Sequence, residues 1–98
     1  MSSVETIVIY DITCDRTRQK VAEACLDYGL VRIQYSAFRG RLNYNRRQEL
    51  ELRLRRLMQD TEGNIQFYPI CEKDLRLAKE LEFPLDAQAR QGARGDRW

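Results

Sequence analysis

The feature that most constrains this chain is a short run of β-branched apolar residues that ends next to a carboxylate. Residues 6–12 read Thr-Ile-Val-Ile-Tyr-Asp-Ile, a composition that favours a strand over a helix. We therefore predict a buried central strand that delivers Asp11 to its carboxyl end. Because strand ends and helix starts are common ligand sites, Asp11 is a candidate functional residue, although a carboxylate in this place can also simply cap a turn.

Hydrophobic periodicity divides the following residues into a helix and a pair of β segments. Apolar residues recur at helical spacing over residues 15–28, and Asp15 or Thr13 is the expected N-cap. Residues 30–42 alternate in polarity, which predicts either two strands that meet near residues 36–37 or one strongly bent strand. Gly40 indicates a bulge or a close approach of two backbones.

A second helix and a last strand complete the pattern. The helix is expected to begin at Asn45, its predicted cap, and to end near Asp60. The strand covers residues 64–71, and Pro69 within it indicates a position at the edge of a sheet. The order is β-α-β-β-α-β, which predicts an α+β, ferredoxin-like fold with an antiparallel sheet and both helices on one face.

The first strand is apolar at odd and even positions, so both of its faces need to be covered. The helices cover only one face, and we expect a second subunit to cover the other, giving a homodimer. Leu81, Phe83 and Leu85 alternate as an extra C-terminal strand that would be exchanged between subunits. The predicted domain therefore covers residues 1–85, and residues 86–98 are expected to be a disordered tail.

The composition narrows the chemistry that the chain can perform. It contains no His, which excludes an imidazole acid or base and a His-ligated zinc site. Phosphodiester hydrolysis would then require Mg²⁺ or Mn²⁺ bound by carboxylates, with Asp11 as the metal ligand. One Asp per chain holds such an ion poorly, whereas two copies that face each other across a two-fold axis share it.

Charge and cysteine usage indicate the partners and the compartment. Residues 32–56 hold eight Arg against two Glu, and Arg binds phosphate oxygens bidentately, although a solvated Arg-rich surface is an equal alternative. Three Cys without a C-x-x-C pair and no bilayer-length apolar run predict a cytoplasmic protein without a membrane partner.

The candidate site residues follow from these patterns. Arg18, Lys20 and Arg32 would neutralise a phosphate. Tyr10 and Phe38 would shape the pocket or stack on a base, unless they simply pack in the core. The candidate nucleic-acid-binding residues are Arg16, Arg18, Lys20, Arg39, Arg41, Arg46 and Arg47.

Four segments of the chain resemble the Cas-two family of small CRISPR-associated adaptation proteins. They include Tyr10-Asp11-Ile12-Thr13 and the Arg-Ile-Gln-Tyr-Ser-Ala-Phe run that ends at Phe38, and the similarity extends over roughly residues 4–85. The segments are residues 8–13, 15–18, 29–38 and 69–71.

The resemblance implies a function in CRISPR spacer acquisition. A homodimer would bind protospacer duplex DNA and bridge dimers of the Cas-one integrase. Family members are also described as Mg²⁺-dependent endonucleases acting on single-stranded RNA or double-stranded DNA. Lys20 stands where some members carry Arg. The residues that match the family's functional, catalytic set are Tyr10, Asp11, Arg18, Arg32 and Phe38.

Two other functions remain open at this point. One is a toxin-like messenger RNA nuclease of the virulence-associated protein D kind, which shares the fold. The other is an interaction module that neither cleaves nor binds nucleic acid, since the ferredoxin-like fold supports many functions.

Overall fold

The elements follow one another in the predicted βαββαβ order. A computed structural model describes residues 3–84, so the predictions for Leu85 and for residues 86–98 lie outside the described part of the chain. A short third helix follows the last strand. The elements are β1 Val4–Ile12, α1 Asp15–Asp27, β2 Val31–Gln34, β3 Ala37–Leu42, α2 Tyr44–Leu57, β4 Gly63–Ile70 and α3 Glu72–Leu75.

The sheet has four antiparallel strands in the order β2-β3-β1-β4. β1 is central and pairs with β3 on one side and β4 on the other, as its buried composition predicts. β4 lies at an edge, in agreement with Pro69, and residues 30–42 form two strands rather than one bent strand. The ferredoxin-like prediction is confirmed.

The core lies between one face of the sheet and the two long helices. Alternation along β1 directs its even-numbered residues to this face, and the predicted stripe of α2 is buried against them at Leu50 and Leu54. Burial raises the pKa of the Cys25 thiol to about 12, so that side chain stays neutral in the core. The fully buried large residues are Phe38, Leu42, Leu50, Leu54, Val8, Val21, Thr6 and Cys25.

The opposite face of the sheet, which we call the open face, is not covered by α1 or α2; of the described helices only the short α3 reaches it, where Glu72 binds Arg41. β1 contributes Glu5, Ile7, Ile9 and Asp11 to this face, because the side chains of a strand alternate. Ile9 remains 38% exposed there, and Tyr68, which pairs with Ile7 from β4, is 49% exposed. The apolar surface expected from the sequence is therefore present and uncovered in the single chain.

Both predicted helix caps are wrong by one or two residues. The N-cap position of helix α1 is Cys14, and not Thr13 or Asp15 as predicted. The Cys14 side chain makes no capping hydrogen bond. Helix α2 is capped by Asn43 and not by Asn45, because Asn43 has an extended backbone and its side chain accepts a hydrogen bond from the Arg46 N–H at 2.8 Å. The chain therefore enters α2 two residues earlier than predicted.

The segment after α3 contributes no strand to this sheet. Residues 78–84 form neither helix nor strand, and Leu81 and Phe83 are largely exposed. The exchange of this segment between subunits requires a second chain and stays a prediction. None of the described helices is long and apolar enough to cross a membrane.

Gly63 fixes the junction between β4 and the end of β1. Its φ is +150°, and a Cβ added there would lie 2.4 Å from the Asp11 carbonyl oxygen. A side chain at this position therefore requires the end of β1 to move, which makes Gly63 a structural requirement for the placement of Asp11.

We predict that Gly63→Ala lowers the free energy of unfolding by about 1–3 kcal/mol, because it combines an unfavourable φ with a backbone clash. The matched control is Gly29→Ala, since Gly29 also has a positive φ, +82°, but faces open space. Urea denaturation of both variants measures the difference. An equal or smaller loss for Gly63→Ala would contradict the packing described for the end of β1.

Candidate functional site

Asp11 is exposed on the open face, at the carboxyl end of β1. Asn64 on β4 pairs directly with it, so both side chains project from the same face. Side chains in such cross-strand pairs are close neighbours. Asn64 was not among the sequence candidates, because only the register of β4 against β1 reveals its proximity to Asp11.

The oxygen atoms of the Asp11 and Asn64 side chains are of the type that binds a hard divalent cation. Carboxylate and amide oxygens are ligands that Mg²⁺ accepts, but one chain supplies only the carboxylate of Asp11 and the amide of Asn64. Among residues 3–84, no three His, Cys, Asp or Glu side chains come together. A second copy of the chain would double the number of oxygen donors.

Arg18 lies at the same end of β1 but contacts other groups. Its guanidinium donates a hydrogen bond to the Ile12 carbonyl oxygen at 2.7 Å and forms an ion pair with Asp15. The guanidinium carbon also lies 5.7 Å from the centre of the Tyr35 ring. The carboxylate next to Arg18 is thus Asp15, and Arg18 joins the end of β1 to the first turn of α1.

Arg32 and Tyr35 complete a cluster on the helix side of the sheet. The guanidinium carbon of Arg32 lies 5.0 Å from the ring centre of Phe38 and 5.9 Å from that of Tyr35. The cluster borders an open cavity of about 480 Å³. The cavity is lined by Asp15, Arg18, Gln19, Ala22, Glu23, Leu26, Arg32 and Tyr35.

Tyr10 and Phe38 pack in the core. Their rings are stacked with centroids 6.3 Å apart, and Tyr10 is only 2% exposed. The Tyr10 hydroxyl is buried without a hydrogen-bond partner in the described part of the chain. Of the two alternatives, core packing and stacking on a base, the structure shows core packing for both rings. A catalytic role for either residue remains a prediction.

The five residues of the predicted catalytic set are therefore brought to one region but divided between two faces of the sheet. Asp11 lies on the open face, whereas Arg18 and Arg32 lie on the helix side. Tyr10 and Phe38 also lie on the helix side, within the core.

Cys14, the exposed thiol nearest to this region, has a lowered pKa because the Thr17 hydroxyl and backbone N–H donate hydrogen bonds to its sulfur. The chain has no His to act as its base.

Arg39 and Arg41 lie on the open face and are engaged by acids. Glu5, largely buried, forms an ion pair with Arg39 and lies 3.9 Å from the Arg41 Nε. Glu72 binds the other end of Arg41, and its hydrogen bond and charge raise the pKa of that guanidinium. These two Arg are thus less available to phosphate than the sequence suggests.

The remaining basic candidates form two groups, one at the start of each long helix. Arg16 and Lys20 are exposed at the start of α1, near the end of β1. Arg46 lies 4.5 Å from the Tyr28 ring centre and Arg47 lies 5.6 Å from that of Tyr44, at the start of α2. Within residues 3–84 none of these four cations forms an ion pair.

The two groups lie at opposite ends of the helix layer. Helix α1 begins where β1 ends, and α2 begins where the antiparallel strand β3 ends. Each group also adjoins the positive end of a helix dipole, which favours anions. The predicted nucleic-acid-binding residues are therefore not one patch in a single chain but two patches, with Arg39 and Arg41 on another face.

The sequence is similar to proteins of known family. The family model described as CRISPR associated protein Cas2 matches residues 4–77. The chain is 52% identical over 79 residues to the CRISPR-associated endoribonuclease Cas2 of Desulforudis audaxviator (strain MP104C), a match that covers 81% of this chain and 74% of that protein.

Two further comparisons extend this similarity. A CRISPR-associated endonuclease Cas1/endonuclease Cas2 fusion of Thermoproteus tenax is 39% identical over 69 residues, which cover 70% of this chain and 26% of the fusion. The crystal structure of Streptococcus pyogenes Cas2 at pH 6.5 superposes with a TM-score of 0.66 at 25% identity, covering 80% of this chain and 99% of that one. With a family model that spans most of its length, a relative at 52% identity and the same fold, the chain belongs to the CRISPR associated protein Cas2 family, the Cas-two family.

Proposed function

We propose that this chain acts in CRISPR spacer acquisition as a homodimer that binds protospacer duplex DNA and bridges dimers of the Cas1 integrase. Mg²⁺- or Mn²⁺-dependent endonuclease activity at Asp11, on single-stranded RNA or double-stranded DNA, is the second function we propose. The family supports the first function, and the Cas1/Cas2 fusion supports Cas1 as the partner. The name endoribonuclease given to the relative from Desulforudis audaxviator supports the second.

The observation that carries the proposal is that Asp11 shares a face with the uncovered apolar residues of the sheet. Ile9 and Asp11 belong to the same row of β1, and Tyr68 and Asn64 belong to the facing row of β4. A symmetric dimer buries the same patch on both subunits. Packing that covers Ile9 therefore also brings both copies of Asp11 to the interface.

The helix layer supports duplex binding. Helix α1 has 13 residues, so the basic groups at the two ends of this layer are separated by about 20 Å. A duplex advances that distance in about six base pairs, so one strand can reach both groups. Four cations without ion pairs in the described residues far exceed the need of one scissile phosphate, which favours the scaffold role over catalysis.

The nuclease proposal assigns separate tasks to the residues at the end of β1. Asp11, with Asn64, would hold the divalent ion in the dimer, and a bound ion supplies Lewis acidity and lowers the pKa of its water. Arg32, which has no ion pair within residues 3–84, would neutralise a substrate phosphate. Arg18 would keep the end of β1 in place through the Ile12 carbonyl.

We expect light scattering to show that the wild-type protein is a dimer at micromolar concentration. Ile9→Arg should shift the equilibrium toward the monomer, because a charge would be buried in the interface. Leu52→Arg is the matched control, since Leu52 is exposed on α2 and away from the sheet. A monomeric wild-type protein, or equal dissociation in both variants, would contradict dimerisation through the open face.

Asp11→Ala should abolish metal-dependent cleavage and leave the dimer intact, because the carboxylate is exposed and forms no ion pair within residues 3–84. Cleavage of labelled RNA and duplex DNA with Mg²⁺, Mn²⁺ and EDTA measures the effect. Asp74→Ala is the control, since Asp74 is an exposed acid on α3, which follows β4 at the end of the sheet away from Asp11. Unchanged cleavage by Asp11→Ala would reject the assignment.

Replacing Arg46 and Arg47 together by Gln should weaken duplex binding and lower the slope of log affinity against log salt by about 1.8 for each contacting subunit, because two phosphate contacts are lost. The control is Arg53→Gln with Arg55→Gln, which removes the same charge from residues already paired with Asp27 and Glu51. Equal slopes for the two double variants would contradict the assignment.

A spacer-integration assay with the cognate integrase separates the competing functions. Loss of integration in the Arg46/Arg47 variant but not in Asp11→Ala supports the scaffold role. Cleavage of messenger RNA without association with the integrase would support the toxin-like nuclease. Failure of the wild type to bind duplex DNA at any salt concentration would support the interaction module.

A further inference from the structure

Tyr35 lies at the turn between β2 and β3 and combines exposure with a fixed position. The side chain is 70% exposed, so the ring is open to solvent. The neighbouring Ser36 carbonyl oxygen accepts a hydrogen bond from the Tyr10 N–H at 3.0 Å, which ties the turn to the central strand. The turn therefore presents an aromatic ring to solvent from a rigid support.

Two guanidiniums and a cavity adjoin this ring. Arg18 and Arg32 lie 5.7 and 5.9 Å from its centre. The cavity beside it, of about 480 Å³, falls within the range of about 300–1,000 Å³ for small-molecule sites. Gln19 and Glu23 on its α1 side add a hydrogen-bond donor and acceptors.

We propose that Tyr35 is a stacking platform for one unpaired nucleobase, with Arg32 bound to the adjoining phosphate. The inference rests on the proposed nucleic-acid function and adds the residue that would hold an unpaired base. Its ligand is a nucleotide in a single-stranded segment of RNA or DNA, because bases within a duplex have both faces covered by their neighbours.

The charges of the cavity fix the direction of the nucleotide. Asp15 is paired with Arg18, and Glu23 adds a second carboxylate, so the α1 side of the cavity disfavours a phosphate. Arg32 forms no ion pair within residues 3–84, and its guanidinium carbon lies near the rings of both Phe38 and Tyr35. A guanidinium held over aromatic rings keeps its N–H groups available for phosphate oxygens. The phosphate therefore belongs on Arg32, and the base belongs against Tyr35 on the cavity side.

The test compares binding of a fluorescein-labelled 12-nucleotide oligouridylate, the same strand with abasic positions, and a blunt DNA duplex. We expect Tyr35→Ala to weaken binding of the intact single strand about tenfold and to leave duplex binding within about twofold. Tyr35→Phe should bind as the wild type does, because stacking needs only the ring. The abasic strand should bind the wild type and Tyr35→Ala equally weakly.

Two further variants control for folding and for general aromatic contacts. Tyr35→Leu keeps an apolar side chain without an aromatic face and should match Tyr35→Ala in binding, while circular dichroism shows that both are folded. Tyr44→Ala removes an exposed tyrosine that adjoins Arg47 of the duplex-binding group, and it should not weaken single-strand binding more than duplex binding.

Several outcomes would overturn the inference. Unchanged single-strand affinity in Tyr35→Ala, or an equal loss with the abasic strand, would exclude stacking on this ring. Equal weakening of single-strand and duplex binding would indicate a general contact. In these cases the proposed function stands, whereas a wild-type protein that binds neither form overturns both proposals.

Discussion

The pairing of β1 with a neighbour on each side is the constraint on which the rest of the structure depends. Val8, Tyr10 and Ile12 bury one face of this strand against the helices, and each large apolar side chain contributes about 1.5–3 kcal/mol when fully buried. Because side chains alternate along a strand, a slip by one residue would expose these groups and turn Asp11 toward the helices. The same burial that holds the core together therefore determines on which face the candidate metal ligand lies.

The element order and the edge strand could be predicted because both depend on local information. Periodicity distinguishes helices from strands, and Pro69 lacks the donor that a central strand requires. The caps of α1 and α2 could not be fixed in the same way, since several polar residues precede each helix and the direction of chain entry selects among them. Asn43 and Asn45 are equally good caps by composition, and only the extended backbone at Asn43 decides.

The candidate site was predicted in its parts but not in its arrangement. Asp11 and Arg18 are adjacent to the same strand end, which the sequence indicated. They nevertheless lie on different sides of the sheet, because the odd-numbered side chains of β1 point to the open face whereas Arg18 belongs to α1, which packs on the other face. Asn64 and Tyr35 carry no local signal, since their importance comes from the register of β4 and from the turn that follows β2. Long-range pairing also determines which Arg are available: Glu5 engages Arg39, 34 residues away.

This separation of faces bears on how one small chain would serve the two proposed functions. In the proposed dimer, the Asp11 copies lie in the interface, so the metal site forms only when the subunits pack in the right arrangement. The basic groups at the helix starts face outward and exist in each chain regardless of that packing. The Arg41–Glu72 pair is exposed and contributes little to stability, so its main effect, like that of Glu5 on Arg39, would be on where the proposed nucleic acid binds. The pairing reduces positive charge on the open face and leaves uncompensated cations on the helix layer, where the proposed duplex would bind without disturbing the proposed contact between subunits.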